Sequence, residues 1–211
     1  MTRILVVDDH PPVRLALRVQ LAAMQDMTDV VEAENGQAAL ESARAEKPDL
    51  VVLDLDMPRI GGLDVAARLR SMYPEVRILV MSAQDPELFA SRAWHAGAQG
   101  FCSKTQDMGC FMRCVEAVLN GYSVFPMSGR HPIPLGYESA ERAEDVAMDR
   151  LSDREVVVLQ MLARGMSNKS IGTALFISNK TVSSYKTRIM TKLGAETVVD
   201  LVDFARKRGL A

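Results

Sequence analysis

Residues 48–58 read PDLVVLDLDMP, an apolar run from Leu50 to Leu53 that stops at two aspartates, Asp54 and Asp56. A short run that is apolar on successive residues, with Val-Val at its centre, describes a strand buried on both faces. That requirement is met in parallel sheets covered by helices. Four similar runs flank it. Ile4–Val7 ends at Asp8-Asp9, and a short strand forms at Val30-Val31. Val76–Met81 ends at Ser82, and Gly100–Cys102 ends near Lys104. Between the strands lie amphipathic stretches: a helix opened by Pro11-Pro12, then Gln37–Ala45, then one after Gly61-Gly62, then Pro86–His95, and finally Asp107–Asn120. Proline is tolerated in the first helical turn, where the N–H has no partner in any case. Five alternations of strand and helix predict a doubly wound, five-stranded parallel sheet with right-handed crossovers.

The pattern breaks at Pro126. Pro126, Gly129, Pro132, Pro134 and Gly136 crowd together, which reads as a linker, with a loose helix allowed over Glu138–Met148. From Leu151 the chain reads as four helices. Ser152 and Glu155 form a capping box, Ser167 caps a short helix to Leu175, Ser178 or Asn179 starts a longer one to Leu193, and the last runs from Thr197 to Arg208. The domain limits expected are 1–124, a linker at 125–149, and 150–211.

Composition supports two modest domains rather than a membrane or secreted protein. Of 211 residues, 48% are hydrophobic and 25% charged, and no window approaches the ~18 apolar residues of a membrane span. The three cysteines, Cys102, Cys110 and Cys114, are odd in number and confined to one short region, which fits reduced thiols and a cytoplasmic location. Cys110 and Cys114 lie one helical turn apart and read as packing rather than a redox pair. Net charge is divided along the chain. Residues 1–125 hold 12 Lys/Arg against 17 Asp/Glu, whereas residues 151–211 hold 10 against 5. A basic tail suits a polyanion and an acidic front suits a cation. The same split can arise from solvated faces, and charge alone does not separate the two.

In a doubly wound sheet the carboxyl ends of the strands are neighbours and carry the chemistry. Asp8, Asp9, Asp54, Ser82 and Lys104 therefore converge. Two carboxylates ~4 Å apart repel by about 4 kcal/mol at a surface-like dielectric, so the cluster calls for a cation. Few carboxylates with room for water suit octahedral Mg²⁺ better than Ca²⁺. A carboxylate so placed, with a lysine and a hydroxyl beside it, can attack phosphorus. His10, His95 and His131 are too scattered in sequence to form a metal set of their own.

These residues resemble the receiver domain of bacterial two-component response regulators, through VVDDH, LDLDMPRIGG, MSA and GFCSK. The resemblance implies Asp54 as phosphoacceptor, Asp9 as a direct Mg²⁺ ligand, Asp8 as a ligand through water, and the main-chain carbonyl of Asp56 as a further ligand. It makes Ser82 the switch hydroxyl, Phe101 the switch aromatic that moves inward on phosphorylation, and Lys104 the phosphate-pairing lysine. Small Ala83 leaves the phosphoryl path open, and Asp56 and Gln84 tune autodephosphorylation. A second family has a similar signature. Asp54-Leu55-Asp56 matches the Asp-x-Asp nucleophile of haloacid dehalogenase phosphohydrolases, but Pro58 and the leading position of the acidic pair depart from it.

In the tail, the short helix, its turn and the helix to Leu193 form a helix-turn-helix. Val182, Ile189 and Leu193 share one face, and Lys180, Ser183, Thr187 and Thr191 the other. Ser184 can join the base contacts, while Lys186 and Arg188 can meet phosphates. LSDREVVVLQMLARGMSNKSIG, ALFISNKTVSSY and KLG are similar to the LuxR-type DNA-binding domain, so the whole chain resembles a response regulator of the NarL/FixJ class. That resemblance implies DNA contacts at Lys180, Thr181, Ser183, Ser184 and Thr187. It also implies a homodimer through Val198, Leu201, Val202 and Ala205, a sensor histidine kinase as phosphoryl donor, and double-stranded DNA as target. Gly172 stands where alanine is usual and is expected to weaken its helix slightly.

Overall fold

The computed structural model describes residues 1–24, 28–58, 60–126, 148, 150–208 and 210. They form two compact units, one holding a sheet with five helices and the other holding four helices. The expected linker and the loose helix over 138–148 lie outside the described residues, apart from the linker's first two positions and Met148.

Strands β1 (Thr2–Val7), β2 (Thr28–Ala33), β3 (Leu50–Asp54), β4 (Arg77–Ser82) and β5 (Gly100–Ser103) pair in parallel in the order β2-β1-β3-β4-β5. Helices α1 (Pro11–Ala22), α2 (Gly36–Glu46), α3 (Gly62–Met72), α4 (Pro86–His95) and α5 (Met108–Leu119) alternate with them. The order reverses direction between β1 and β3, the switch point at which such sheets open a crevice. Side-chain alternation sends Ile4, Val6, Leu50, Val52, Leu79, Met81 and Cys102 to one face, where they meet Leu17 and Leu21 of α1 and Phe111, Cys114, Val115 and Val118 of α5. All of β3 is buried, as its unbroken apolar run requires.

Caps set several helix starts. The Asn35 side chain accepts from Ala38 N–H, Asp85 from Glu87 N–H and Asp107 from Cys110 N–H. Helix α1 has no side-chain cap and uses proline in its first turn instead. Boundaries match expectation to within two residues; at β2 pairing with β1 extends the strand by two residues on both sides of Val30-Val31.

In the second unit α6 (Asp153–Ala163), α7 (Asn168–Ala174), α8 (Asn179–Leu193) and α9 (Val198–Lys207) surround a core of Val156, Leu159, Ile171, Val182, Ile189, Leu201 and Ala205. Glu155 is a buried charge in this core, 3% exposed, and its Oε2 accepts from Ser152 N–H at 2.7 Å and from Lys192 Nζ at 2.6 Å. One carboxylate thus closes the first turn of α6 and ties it to the last turn of α8. Burial pushes Glu155 up, but the bonds from Lys192 and Ser152 outweigh it and leave its pKa below the ordinary value of 4.5. A pKa depressed by folding gives stability that is complete above 4.5 and lost as pH falls through the lower folded value. Glu155→Gln is therefore expected to cost the helical unit about 1–2 kcal/mol at neutral pH, discounted for the half-exposed Lys192. The gap to the parent should close below pH 4.5, which hydrogen exchange of the α6 and α8 amides reads directly.

Gly172 has a reason in the turn that follows it. Its Cβ would lie 2.7 Å from the Ile177 carbonyl oxygen, while Ile177 N–H donates to Gly172 O at 2.9 Å. The α7–α8 turn therefore folds back too closely for a side chain, and glycine here serves the turn at the expense of helix propensity.

Candidate phosphoacceptor and DNA-contact sites

Asp8 and Asp9 follow the end of β1, Asp54 and Ser82 end β3 and β4, and Lys104 follows β5. Parallel register brings these ends to one edge, with Asp54 opposite Met81 and Ser82 opposite Ser103. Lys104 Nζ donates to Asp8 Oδ2 at 2.7 Å and lies 2.8 Å from Asp54 Oδ2. Asp8, Asp54 and Ser82 are each at most 1% exposed. Burial raises the Asp54 pKa to about 6, against the charge of Lys104, which lowers it, and that of Asp8, which raises it further. Burial alone would lower Lys104; the Asp54 and Asp8 carboxylates outweigh it and the pKa is raised. The two carboxylates thus hold the Lys104 ammonium charged, while at Asp54 burial outweighs the lysine.

The remaining bonds orient the acids. Asp8 Oδ1 accepts from His10 N–H at 2.8 Å, and Arg14 Nη1 donates to the Asp8 carbonyl at 2.6 Å. Asp54 Oδ1 accepts from Asp56 N–H at 3.2 Å, Ser82 Oγ from Gln84 N–H at 3.1 Å, and Lys104 N–H donates to Ser82 O at 2.9 Å. Gln84 Nε2 donates to Asp56 Oδ1 at 2.8 Å, so the two residues assigned to tuning are joined across β3 and β4. Ala83 is exposed beside them. Gly62 was not singled out from sequence as part of the site, although GG after the acidic stretch was its signal. Its Cβ would stand 2.6 Å from Leu55 Cα and against the Asp54 carbonyl, so only glycine lets α3 start this close to the acceptor strand.

Two placements add to what the sequence showed. His10 does join the acids: its Nδ1 is 2.8 Å from Asp9 Oδ1 and 3.3 Å from Asp8 Oδ1, because it directly follows Asp8-Asp9 in the chain. Phe101 is already inside at 2% exposure, its N–H bonded to Val124 O at 2.8 Å. Strand alternation sends its ring to the sheet face opposite Cys102.

Asp9 Oδ1 and Asp54 Oδ2 are buried oxygens, paired with His10 Nδ1 and Lys104 Nζ, each at 2.8 Å. Asp8, Asp9, His10 and Asp54 present ligand atoms within 4.8 Å of one another. Carboxylate oxygens gathered this closely are hard donors, and they fit Mg²⁺.

On α8, Lys180, Ser183, Ser184, Thr187 and Arg188 are exposed, whereas Thr181 and Lys186 are half-buried at its flanks. Val182 and Ile189 are buried; Leu193 is only half so. Ser183, Ser184 and Thr187 donate their hydroxyls to Asn179 O, Lys180 O and Ser183 O, each at 3.1 Å. Their oxygens retain free lone pairs, so toward DNA they stand as acceptors. Ser183 Oγ also accepts from Asn168 Nδ2 at 3.2 Å, bridging α7 and α8. Thr181 Oγ1 shares a 2.8 Å hydrogen bond with the N-cap Ser178, which draws it into the helix start. On α9, Leu201 and Ala205 are 0% exposed and belong to the unit's own core, leaving Val198 and Val202 with the exposed Val199 toward the surface.

Sheet, acid edge and helix-turn-helix define a phosphoacceptor domain followed by a DNA-binding domain. The family models agree: residues 4–116 match the response regulator receiver domain and residues 149–205 match the bacterial regulatory proteins of the luxR family. The chain belongs to the response regulators of the NarL/FixJ class and is a phosphorylation-dependent regulator of transcription. It is 41% identical over 209 residues to BvgA of Bordetella pertussis, covering 99% of each chain. It is also 33% identical over 203 residues to the DNA-binding transcriptional activator EvgA of Escherichia coli, covering 96% of this chain and 97% of that one. Among solved structures, it resembles a LuxR-family two-component response regulator from Aurantimonas sp. SI85-9A1 with TM-score 0.56 and 30% identity, over 71% of this chain and 99% of that one. It also resembles RcsB, solved as two dimers bound to two parallel DNAs, with TM-score 0.55 and 25% identity, over 97% and 98%. The phosphohydrolase alternative is not favoured by these matches.

Proposed function

We propose that Asp54 takes a phosphoryl group from the phosphohistidine of a sensor kinase and that the modified chain binds promoter DNA as a homodimer. The observation that carries this reading is the buried edge where Asp54 meets Lys104 and Asp8. An Asp54 carboxylate oxygen attacks phosphorus, the bond from phosphorus to the histidine nitrogen breaks, and the imidazole leaves. Lys104 neutralises the phosphoryl oxygens, and Ser82 turns its hydroxyl toward them. Asp9, Asp54 and the Asp56 carbonyl would hold Mg²⁺ directly, and Asp8 through water. When bound, the ion supplies positive charge for the transferring group. The Asp56–Gln84 pair screens the path of hydrolytic water and so sets the lifetime of the acyl phosphate. The chemistry is self-catalysed transfer and autodephosphorylation, without turnover of a metabolite.

The domain limits 1–124 and 150–211, joined by a linker at 125–149, serve this reading, as does residence in the cytoplasm, where kinase domains and promoters meet. Among the described residues no helix is long and apolar enough to cross a membrane. Lys180, Ser183, Ser184 and Thr187 face the bases, with Arg188 on a phosphate and Thr181 and Lys186 on the flanks. Val198 and Val202 carry the dimer contact of α9, with Leu201 and Ala205 supporting it from within.

The test is footprinting of genomic DNA with and without acetyl phosphate as phosphodonor, with protection expected only with the donor. Equal protection in both states would make the binding phosphorylation-independent. On a protected site, Arg188→Ala should weaken binding of all sequences alike and lower the slope of log affinity against log salt by about 1. An unchanged slope would remove Arg188 from the phosphate contacts.

A further inference from the structure

We propose that His10 is a metal-selecting ligand of the acid edge, adding a nitrogen donor that favours first-row transition-metal divalents over Mg²⁺. The proposal rests on reading that edge as a cation site. His10 sits between Asp9 and Pro11. A residue before proline is confined to extended backbone, and His10 has φ −95° and ψ 108°. Its N–H is held by Asp8 Oδ1 at 2.8 Å, so the direction of its Cβ is fixed at both ends. Although it occupies the N-cap position of α1, its side chain caps nothing. The ring turns instead to the acids, with Nδ1 at 2.8 Å from Asp9 Oδ1 and 3.3 Å from Asp8 Oδ1.

Those separations are the ones a metal needs. Two adjacent donors of an octahedral ion with bonds of about 2.1 Å stand about 3.0 Å apart. The Nδ1 distance of 2.8 Å to Asp9 is close to that value, and the Asp54 carboxylate lies within the same 4.8 Å cluster. Mg²⁺ is hard and keeps oxygen ligands and water, so the imidazole adds little to its binding. Imidazole binds transition metals well, and affinity rises from Mn²⁺ toward Cu²⁺ along the Irving–Williams order. A carboxylate site with one nitrogen at its rim therefore discriminates by metal type while still accepting Mg²⁺.

The experiment uses the full chain with Mg²⁺, Mn²⁺ and Co²⁺ as probes, in the parent, His10→Ala and Asp9→Asn. Binding is measured by calorimetry, and the ligands of bound Mn²⁺ by electron spin-echo spectroscopy. His10→Ala is expected to weaken Mn²⁺ and Co²⁺ by at least about tenfold, the loss typical of removing even a group that orients a ligand. Mg²⁺ affinity should hold within about twofold, since water replaces the ring. Parent Mn²⁺ should show modulation from a directly bound nitrogen that disappears in His10→Ala. Absence of that modulation overturns the proposal, as does an equal loss for Mg²⁺ and Mn²⁺, which would make His10 a positioning residue for Asp8 and Asp9. Asp9→Asn keeps the two failures apart: it should lose all three metals, and if it binds them as the parent does, the cation-site reading itself falls and the proposal with it. The His10 side chain is 63% exposed, so its removal leaves the core intact.

Discussion

Asp54→Asn is expected to abolish phosphoryl incorporation from acetyl phosphate, with no adduct visible by intact mass. The amide has nearly the volume of the carboxylate and can still accept the 3.2 Å bond from Asp56 N–H. It lacks the anionic oxygen that attacks phosphorus, and nothing in the site can create one. Asp56→Asn should still take the group, because the Asp56 side chain faces Gln84 and not the acid edge. In Asp54→Asn the DNA footprint should become indifferent to the donor. An adduct persisting on Asp54→Asn would move the acceptor to another carboxylate, with Asp9 of the same cluster the first place to look.

Lys104→Met should show the largest loss of stability in the α/β unit, about 3 kcal/mol without divalent metal. The ammonium stands 2.7 Å from Asp8 and 2.8 Å from Asp54, whose carboxylates are fully buried, and is itself only 19% exposed. Methionine keeps the stem's packing and removes the charge. Two carboxylates then share a buried space, and like charges ~4 Å apart repel by about 4 kcal/mol at an effective dielectric of 20. Millimolar Mg²⁺ should restore much of the loss, because a ligand bound only by the folded state stabilises it by mass action. Urea unfolding followed by Trp94, the chain's one tryptophan, on α4, reports this unit separately from the helical one. An unchanged midpoint in metal-free buffer would mean that the carboxylates are not ionised together.

Most of the fold was legible because two periodicities carry it. The unbroken apolar runs could be buried only as parallel strands covered by helices, and the caps at Ser152, Ser167 and Ser178 mark helix starts by side-chain chemistry that acts within four residues. The acid edge was legible for a related reason: once the sheet is parallel and doubly wound, strand ends are neighbours. Asp8, Asp54, Ser82 and Lys104 needed no alignment to be placed together.

What escaped was contact geometry between segments that say nothing of one another. The demand for glycine at position 62 comes from the approach of α3 to the Asp54 carbonyl and Leu55, and at position 172 from the Ile177 carbonyl. Helical spacing put Val198, Leu201, Val202 and Ala205 on one stripe, yet it cannot tell a core from a dimer face. Packing against α6 and α8 took Leu201 and Ala205 inward.

Sequence alone thus determined the element order, the strand ends and which side chains gather at the acid edge, since hydrophobic period and parallel topology are properties of the chain read along its length. Only the tertiary structure decided which charges neutralise which, that Phe101 already lies inside, that Gln84 reaches Asp56 and that His10 turns to the acids. Each of these depends on a side-chain direction and a separation of a few ångströms across elements, and such distances are fixed by packing.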